Sequence, residues 1–368
     1  MSSGGASQTA QHPELAVLTA DEMRRVESAA FARGLPSFEA MRRAGQAVAE
    51  LVAGRWLLGA VDRIIVLCGP GNNGGDGFIA AAALRAAGYA VQVHSVALKT
   101  ARSADANKAA AGWGDPVTPL SAKSLSDLNP RTVVVDALFG IGLTRPLAGD
   151  VLDAVEAVNR SGARVVAVDV PSGIDADNGA ILGAAIRADM TVTFGWVKHG
   201  HLRLPAAARC GELVVADAGF TAVDLGAIDL ACWRNTPALW RDAYPLPRAE
   251  DHKYRRGHAL IAGGATMTGA ARLAARAARR VGLGMLTLAA PEAIWSIYAQ
   301  DLVGAIVRPV AGNEATLALA GDAKVSALLV GSGLEPDRVT AELVRGAMAL
   351  GRPMVIDGGG LTALARHG

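Results

Sequence analysis

The stretch that decides the fold is GPGNNGGDG at residues 69–77. It follows an apolar run at 64–68, which predicts a buried strand, and it precedes an Ala-rich run at 78–87, which predicts a helix. A strand, a glycine loop and a helix in this order are typical of anion sites, because glycines let the backbone approach a ligand and helix-start N–H groups face negative charge. The alternative is a tight turn without a ligand, and the polar side chains of Asn72, Asn73 and Asp76 weigh against it. The stretch is neither the dinucleotide fingerprint nor a P-loop.

The composition predicts a protein with a large core and no general affinity for polyanions. Of the 368 residues, 51% are hydrophobic, and 36 basic residues face 34 acidic ones. This near balance gives no reason to expect nucleic acid or a membrane surface as a partner. Three scattered cysteines without a CxxC pair exclude a disulfide framework and favour a reducing compartment. With no signal-peptide pattern and no long apolar run, we expect a cytoplasmic protein, and we expect it to form a homo-oligomer.

Short apolar runs alternate with helical segments over residues 19–220, which predicts a parallel α/β sheet covered on both faces, a Rossmann-like three-layer αβα sandwich. Thr19 and Glu22 fit a capping box at the first helix, and 151–159 fits a crossover helix. The predicted strands are 64–68, 91–97, 132–136, 165–169, 190–194 and 213–216.

The rest of the chain divides into a tail, a linker and a second domain. Residues 1–18 are expected to be a flexible tail, and the Pro- and Trp-rich segment 221–250 a linker. Residues 251–368 repeat the α/β pattern with a helix at 270–281, but no helix pattern follows the final strand. A partial ribokinase-like α/β domain is therefore expected here. Its predicted strands are 259–262, 285–289, 327–331 and 353–357.

Polar side chains follow three predicted strands of the first domain, at the point where each strand ends. Ligands of open parallel sheets bind beyond the carboxyl ends of strands, so these side chains are expected at one edge. Clustered carboxylates repel unless a cation or a shared proton compensates, so a cation site and a general acid/base are both open. Any one of them alone is more often a helix cap or a turn residue. The set is Asn73, Asp76, Asp136, Asp169 and Asp175.

Two further groups stay ambiguous from the sequence. Arg145 is either a phosphate ligand or a surface arginine, with equal weight. His199 and His201 lie two residues apart without a third metal ligand nearby, so solvent-facing histidines are expected.

Four motifs together resemble the N-terminal domain of the bifunctional NAD(P)H-hydrate repair enzymes. They are GPGNNGGDG at 69–77, VVDALFGIGLTRPLAGDV at 134–151, AVDVPSGIDADNG at 167–179 and ADMTVTFGWVKHGH at 188–201. The resemblance implies an epimerase that interconverts the R and S forms of NADHX and NADPHX, cofactors hydrated at C6 of the nicotinamide. Loss of the hydroxyl would give an iminium at N1, and water would return to the other face, so no redox cofactor is needed.

The resemblance also implies roles for individual residues. Asp169 would be the acid/base at the nicotinamide end, and Asn73, Asp136 and Ser172 would bind a potassium ion (K+). The implied substrate-binding residues are Asn72, Asn73, Gly74, Gly75, Asp76, Gly140, Ile141, Gly142, Leu143, Thr144, Arg145, Pro146 and Asp169, with Ala270 and Gly333 in the second domain.

The second domain resembles the beginning of the family's ribokinase-like dehydratase, which uses ADP or ATP with Mg2+ to dehydrate S-NAD(P)HX. The similar stretches include LIAGG at 260–264, MTGA at 267–270 and VGSGL at 330–334. Asp301-Leu-Val-Gly304 and Gly359 depart from the pattern. Because the later catalytic segment does not appear before Gly368, we expect an incomplete dehydratase domain without that activity in this chain.

Two other functional classes compete with the epimerase. One is a non-catalytic dinucleotide-binding or scaffold module. The other is a sugar kinase, suggested only by the fold of the second domain.

Overall fold

The computed structural model describes residues 12–56, 61–96 and 103–368, with the side chain of Trp56 left out. The chain divides into two compact units, Met1–Asp242 and Ala243–Gly368. Among the described residues, no helix has both the length and the apolar character that crossing a membrane requires.

The first unit is built on a seven-stranded sheet in which every neighbouring pair is parallel. The spatial order is β4-β3-β2-β5-β6-β7-β9, so the direction of winding reverses between β2 and β5. In open α/β sheets such a reversal opens a crevice at the carboxyl ends of the strands. The strands are β2 Arg63–Cys68, β3 Val91–Ser95, β4 Val117–Pro119, β5 Thr132–Ala137, β6 Arg164–Val168, β7 Met190–Phe194 and β9 Glu212–Ala216.

Helices cover both faces of this sheet, which confirms the predicted three-layer αβα sandwich. One core cluster packs Phe78 and Trp113 against one face, and a second packs Val155 and Val158 against the other. The helices are Ala20–Ala32, Ser37–Trp56, Asn72–Ala86, Ala104–Trp113, Gly149–Ser161 and the single turns His199–Leu202 and Pro237–Trp240. All six predicted strands form, although residue 97 lies outside the described residues. The sequence missed the short edge strand β4, whose three residues are all exposed.

The glycine-rich stretch differs from its prediction, because most of it is helix rather than loop. The helix Asn72–Ala86, called the glycine helix below, begins six residues before the predicted start at 78. Its glycines serve close packing: a Cβ on Gly77 would lie 2.6 Å from Cβ of Ala137 and 3.0 Å from Sγ of Cys68. A Cβ on Gly75 would lie 2.7 Å from the end of the Met41 side chain. The loop itself is only 69–71.

The predicted tail is wrong for residues 12–18, which are packed into the first unit. Val17–Leu18 (β1) pairs in parallel with Val197–Lys198 (β8), and Ala16 bridges to Trp233 within the predicted linker. Leu15 to Leu18 are all buried, because this apolar segment covers one side of the helix Ala20–Ala32. That helix begins with the predicted capping box of Thr19 and Glu22, which is confirmed.

The second unit is a five-stranded parallel sheet in the order β12-β11-β10-β13-β14, again with helices on both faces. Its strands are β10 His258–Ala262, β11 Met285–Pro291, β12 Ile306–Val310, β13 Ala327–Val330 and β14 Met354–Ile356. Its helices are Thr268–Arg280, Trp295–Asp301, Gly312–Ala320, Arg338–Ala349 and Gly359–His367.

Two expectations for this unit are corrected. Strand β12 was missed because it is largely exposed and contains Pro309. A helix, Gly359–His367, does follow the final strand; its start at two glycines hid it in the sequence.

The packing of the glycine helix predicts a large effect of one methyl group. We expect Gly77→Ala to lower the free energy of unfolding by about 1–3 kcal/mol, because overpacking outweighs the better helix propensity of alanine. The matched control is Gly112→Ala, in the helix Ala104–Trp113, where nothing lies within 4 Å of the added Cβ. The control should be neutral or stabilising by up to about 1 kcal/mol. Thermal unfolding of the full chain measures both, and equal melting of the Gly77→Ala and wild-type proteins would contradict this packing.

Candidate active site

A cavity of about 700 Å³ lies at the carboxyl ends of the central strands of the first unit. Its walls include the helices Ala20–Ala32 and Ser37–Trp56, the start of the glycine helix, and the strand-end loops after β5, β6, β7 and β9. We call it the strand-end cavity. Phe139, Phe194 and Phe220 add apolar wall, and Asp169 and Lys198 contribute charge. The predicted edge of the sheet therefore does form a pocket of the size that small ligands and cofactors occupy.

Asp169 is held in this cavity by an unusual backbone conformation. Its φ of 64° makes it the only non-glycine residue with positive φ in the described ranges. Such a conformation is costly for a residue with a Cβ, and it persists where surrounding contacts enforce it. Oδ1 accepts hydrogen bonds from Thr193 Oγ1 at 3.0 Å and from Lys198 Nζ at 2.8 Å, and Oδ2 accepts one from the backbone N–H of Ile141 at 3.2 Å.

Lys198 is the partner that the sequence reading missed. Its side chain is 1% exposed, and its ammonium group also donates to Thr193 Oγ1 at 2.8 Å and to the carbonyl of Phe194 at 3.1 Å. Burial alone would raise the pKa of Asp169, but the charge and hydrogen bond of Lys198 outweigh it and hold that pKa below its usual value. Asp169 is therefore an ionised carboxylate at neutral pH.

His201 is buried, so the expectation of a solvent-facing histidine is wrong for this residue. Its Nδ1 accepts the backbone N–H of Lys198 at 3.0 Å, and its Nε2 donates to the backbone carbonyl of Asp169 at 2.8 Å. Burial, with help from the charge of Lys198, lowers the pKa of His201 to about 4. A neutral histidine thus connects the backbones of Asp169 and Lys198. His199 is half-buried.

Two more carboxyl groups face the cavity. Burial, followed by the charge of Asp169, raises the pKa of Glu27 to about 7, against the opposing effects of Lys198 and Arg24. Burial and then the charges of Asp169 and Glu27 raise the pKa of Asp76 well above its usual value. Glu27 was missed, although a signal existed. It stands in the apolar stripe 23, 26, 27 and 30 of its helix, where the other three residues are buried and apolar.

The expected ion ligands are Asn73, which lines the cavity, and the fully buried Asp136 and Ser172. Asp136 is fully buried, with Oδ1 accepting from Ser172 Oγ at 2.6 Å and Oδ2 from the backbone N–H of Ser172 at 2.8 Å. Burial raises the pKa of Asp136 to about 6, although these hydrogen bonds lower it. The amide of Asn73 is buried, and among the described residues neither its oxygen nor its nitrogen has a hydrogen-bond partner.

The amide of Asn73 and the carboxylate of Asp169 both lie close to Gly140. A Cβ at Gly140 would sit 2.8 Å from Asp169 Oδ2 and 3.2 Å from Asn73 Oδ1. Glycine is thus required where the loop after β5 passes between them.

The start of the glycine helix borders the same cavity. Gly71 is its N-cap, and no side chain caps the helix, so its first N–H groups are available at the cavity wall. The side chain of Asn72 is fixed by a hydrogen bond from Ser103 Oγ to its Oδ1 at 2.5 Å.

The structure therefore brings together part of the predicted site. The predicted residues that line the cavity are Asn72, Asn73, Asp76, Gly140, Ile141, Gly142 and Asp169. Gly74 and Gly75 are buried in the packing of the glycine helix, and the exposed Arg145 lies outside the lining with Leu143, Thr144 and Pro146. Asp175 forms a turn by accepting the backbone N–H groups of Asp177 and Asn178.

In the second unit, Ala270 and Gly333 lie next to each other. Gly333 has a φ of 81°, and a Cβ on it would be 3.3 Å from Cβ of Ala270. The two residues follow β10 and β13, which are the strands between which the winding of this sheet reverses.

Each of the two units matches a known protein family. The family described as "YjeF-related protein N-terminus" matches residues 37–200, and the family described as "NAD(P)H-hydrate dehydratase" matches residues 258–368.

Proteins named "Bifunctional NAD(P)H-hydrate repair enzyme Nnr" are similar over nearly the whole chain. Identity is 38% with the protein of Thermofilum pendens, 32% with that of Synechocystis sp. and 35% with that of Salinibacter ruber. These matches cover 89%, 96% and 95% of this chain and 65%, 68% and 70% of the relatives. The chain thus spans about two thirds of their length.

Solved structures resemble the two units separately. Yeast ynu0 is 25% identical, with a TM-score of 0.47, over 53% of this chain and 86% of its own. The ADP/ATP-dependent NAD(P)H-hydrate dehydratase from Bacillus subtilis is 30% identical, with a TM-score of 0.29, over 34% of this chain and 46% of its own. The assignment rests on the sequence matches.

The buried ion pair predicts a strong dependence of stability on Lys198. We expect Lys198→Met to lower the free energy of unfolding at pH 7 by about 3–5 kcal/mol, because it leaves the carboxylate of Asp169 buried without a cation. Adding Asp169→Asn should recover much of the loss, since the buried charge is then removed as well.

The contribution of this ion pair to stability depends on pH. The lowered pKa of Asp169 contributes stability above its unfolded pKa of about 4, which is lost as pH falls through the folded pKa. The penalty of Lys198→Met should therefore shrink in acid. Denaturant titrations at several pH values measure this, with the exposed Lys123→Met as control. A Lys198→Met protein as stable as this control at pH 7 would contradict the pair.

Proposed function

This chain belongs to the family of the bifunctional NAD(P)H-hydrate repair enzymes, and from that premise we propose that its first unit epimerises R- and S-NADHX and NADPHX in the strand-end cavity. The observation that carries the proposal is the Asp169 carboxylate, held by buried Lys198, in a pocket bordered by an uncapped helix start. A scaffold module that only holds a dinucleotide has no use for a strained, desolvated carboxylate at its centre. The non-catalytic alternative is therefore not favoured.

The substrate's phosphates are proposed to bind at the start of the glycine helix. The uncapped N–H groups there and the positive end of the helix dipole favour an anion. Gly140 to Gly142 would contact the substrate through the loop after β5, which lines the cavity beside Asn72. The continuation of that loop, Leu143 to Pro146 with Arg145, would contact the part of the substrate that projects out of the cavity.

The hydrated nicotinamide ring is proposed to lie against Asp169. The ring nitrogen N1 supplies the electron pair that expels the C6 hydroxyl, which leaves an iminium cation. An ionised carboxylate stabilises that cation and can take a proton from the water that adds back. Lys198 and His201 act as positioning residues, because they hold the charge and the backbone of Asp169 without being needed as proton carriers.

A potassium ion is proposed beneath the cavity, bound by Asn73, Asp136 and Ser172. The residues fit such an ion: the buried oxygen of Asn73 has no partner among the described residues, and burial raises the pKa of Asp136 to about 6. A nearby cation would favour the ionised form of that carboxyl. Among the described residues, no group of three or more His, Cys, Asp or Glu side chains forms a metal cluster, and one carboxylate with neutral oxygens suits a singly charged cation.

For the second unit we propose that Ala270 and Gly333 contact the hydrate substrate of the family's ADP- or ATP-dependent dehydration, with Mg2+ accompanying the nucleotide. Their support is that Ala270, in the first turn of the helix after β10, lies beside Gly333, in the loop after β13, at the reversal point of the sheet.

The assignment of Asp169 is tested by Asp169→Asn, which keeps the shape and removes the charge. We expect epimerisation to fall by about 10²–10⁴-fold, the usual contribution of a positioned acid/base group. NMR exchange spectroscopy of purified R- and S-NADPHX measures the rate directly. Asp153→Asn, an exposed substitution on the helix Gly149–Ser161, should keep the wild-type rate. Near-normal exchange by the Asp169→Asn protein would refute the role.

The potassium site is tested by thermal unfolding rather than by enzyme activity. An ion that binds only the folded state stabilises it by about 2.7 kcal/mol at a hundredfold excess over its dissociation constant. We therefore expect the wild-type protein to melt several degrees higher in potassium chloride than in tetramethylammonium chloride of equal ionic strength.

The Asn73→Ala protein should melt at the same temperature in both salts. The Asn129→Ala protein, which is substituted in a loop outside the proposed ion site, should keep the difference in melting temperature. Equal melting of the wild-type protein in both salts would overturn the site.

A further inference from the structure

Epimerisation requires two proton transfers, and a single carboxylate that is held in place by hydrogen bonds does not perform both. The departing hydroxyl needs a proton, and the water that returns on the other face of the ring must lose one. Asp169 accepts three hydrogen bonds, and Lys198 holds its pKa below the usual value, so at neutral pH it is ionised and carries no proton to give to the hydroxyl. A second group in the cavity must therefore carry the proton that leaves with the hydroxyl.

Glu27 is placed for this task. It enters the cavity from the helix Ala20–Ala32, a different wall from the strand-end loops that carry Asp169 and Lys198. In the part of the chain that the structure describes, no hydrogen bond or ion pair engages its carboxyl group. The carboxyl group is thus available to bind a ligand. Its apolar neighbours on the same face of the helix, Met23, Val26 and Ala30, are buried.

The charged groups around Glu27 support a proton on its carboxyl. Burial and then the charge of Asp169 raise the pKa of Glu27, while Lys198 on the strand-end wall and Arg24 on its own helix lower it. The resulting pKa is about 7. Asp76, on the glycine helix, is a further carboxyl that interacts with Glu27. A group that titrates near neutral pH is best suited to both giving and taking a proton.

Other carboxyl groups of the cavity are less suited. Asp105 sits at the rim and accepts a hydrogen bond from Ser37 Oγ at 2.5 Å. Asp76 lies in the same helical turn as Asn73, a proposed ion ligand, so a proton on Asp76 would be coupled to the bound ion.

We propose that Glu27 is the second proton-transfer residue of the epimerase site, serving the face of the nicotinamide ring that Asp169 does not. The proposal rests on the proposed function. In one direction, the Glu27 carboxylic acid protonates the C6 hydroxyl, the C6–O bond breaks as water leaves, and the N1 electron pair forms the C=N bond. Water then adds to the opposite face and gives its proton to Asp169. Solvent then carries the proton from Asp169 back to Glu27, which restores the starting enzyme. In the reverse direction the two residues exchange roles, so atoms and electrons balance without an oxidant.

The test is Glu27→Gln, measured by NMR exchange of R- and S-NADPHX between pH 6 and 9. We expect kcat to fall by about 10²–10⁴-fold with KM little changed. The wild-type profile of kcat should fall above about pH 7, where Glu27 loses its proton, and the residual activity of the Glu27→Gln protein should lack this limb. Glu27→Asp should restore part of the rate together with the limb. Glu50→Gln, an exposed control on the helix Ser37–Trp56, should behave as the wild type.

A thermal measurement covers the case in which Glu27→Gln alters folding. Because the folded pKa is raised from 4.5 to about 7, the wild type loses stability as pH rises through this window. The Glu27→Gln protein should lack that loss, so its melting temperature should vary less from pH 5 to 8.

The outcomes separate the two claims. If the wild-type protein does not accelerate exchange at all, the proposed function fails. If the wild type is active and the Glu27→Gln protein keeps its rate and its pH profile, the role of Glu27 fails and the epimerase stands. If the Glu27→Gln protein does not fold, a wild-type rate in the Glu27→Asp protein across the whole pH range would overturn the role.

Discussion

The site depends on how closely the glycine helix approaches the sheet. Gly77 lies against Ala137 and Cys68, at the ends of the two central strands, with no room for another methyl group. This contact fixes where the helix starts, and with it the position of its uncapped N–H groups at the reversal point of the sheet. Gly140 then passes between Asn73 and Asp169 for the same steric reason. Close approach of the backbone thus places the glycine helix and the loop after β5 at the cavity.

That proximity concentrates charge in a confined space. Asp169, Glu27 and Asp76 share the cavity with Lys198, so full ionisation would leave an excess of negative charge. The pKa directions resolve this conflict: Asp169 keeps its charge because Lys198 is paired with it, while Glu27 and Asp76 hold their protons more tightly. Groups whose pKa values are driven apart by one environment are suited to opposite roles in proton transfer.

The sequence predicted those parts of the protein that follow from local pattern. Short apolar runs separated by helical segments predicted the strands of the parallel sheet, and Thr19 with Glu22 predicted a helix start. Both patterns are local, because each involves only a few consecutive residues. The start of the glycine helix was placed too late, since glycines are poor helix formers and only tertiary packing reveals why they are there. Lys198 was missed because a lysine in a strand-like segment carries no local sign of a buried partner 29 residues earlier.

The missed residues also show what kind of signal sequence reading can use. Glu27 breaks the apolar stripe of its own helix, so its position on the inward face could be predicted from the sequence, but its role could not. A charged residue in an apolar stripe indicates either a paired core charge or a wall of a polar cavity. The structure shows the second case. The apolar residues of the stripe pack on the core, and Glu27 lines the cavity that also contains the Asp169–Lys198 ion pair. A partly buried carboxyl group that has no cation bound to it and lies near a fixed negative charge holds its proton up to neutral pH. In the proposed reaction, the iminium cation would add positive charge to this set of groups and would lower the pKa of both Asp169 and Glu27. The proton on Glu27 would then be easier to release as the C–O bond breaks.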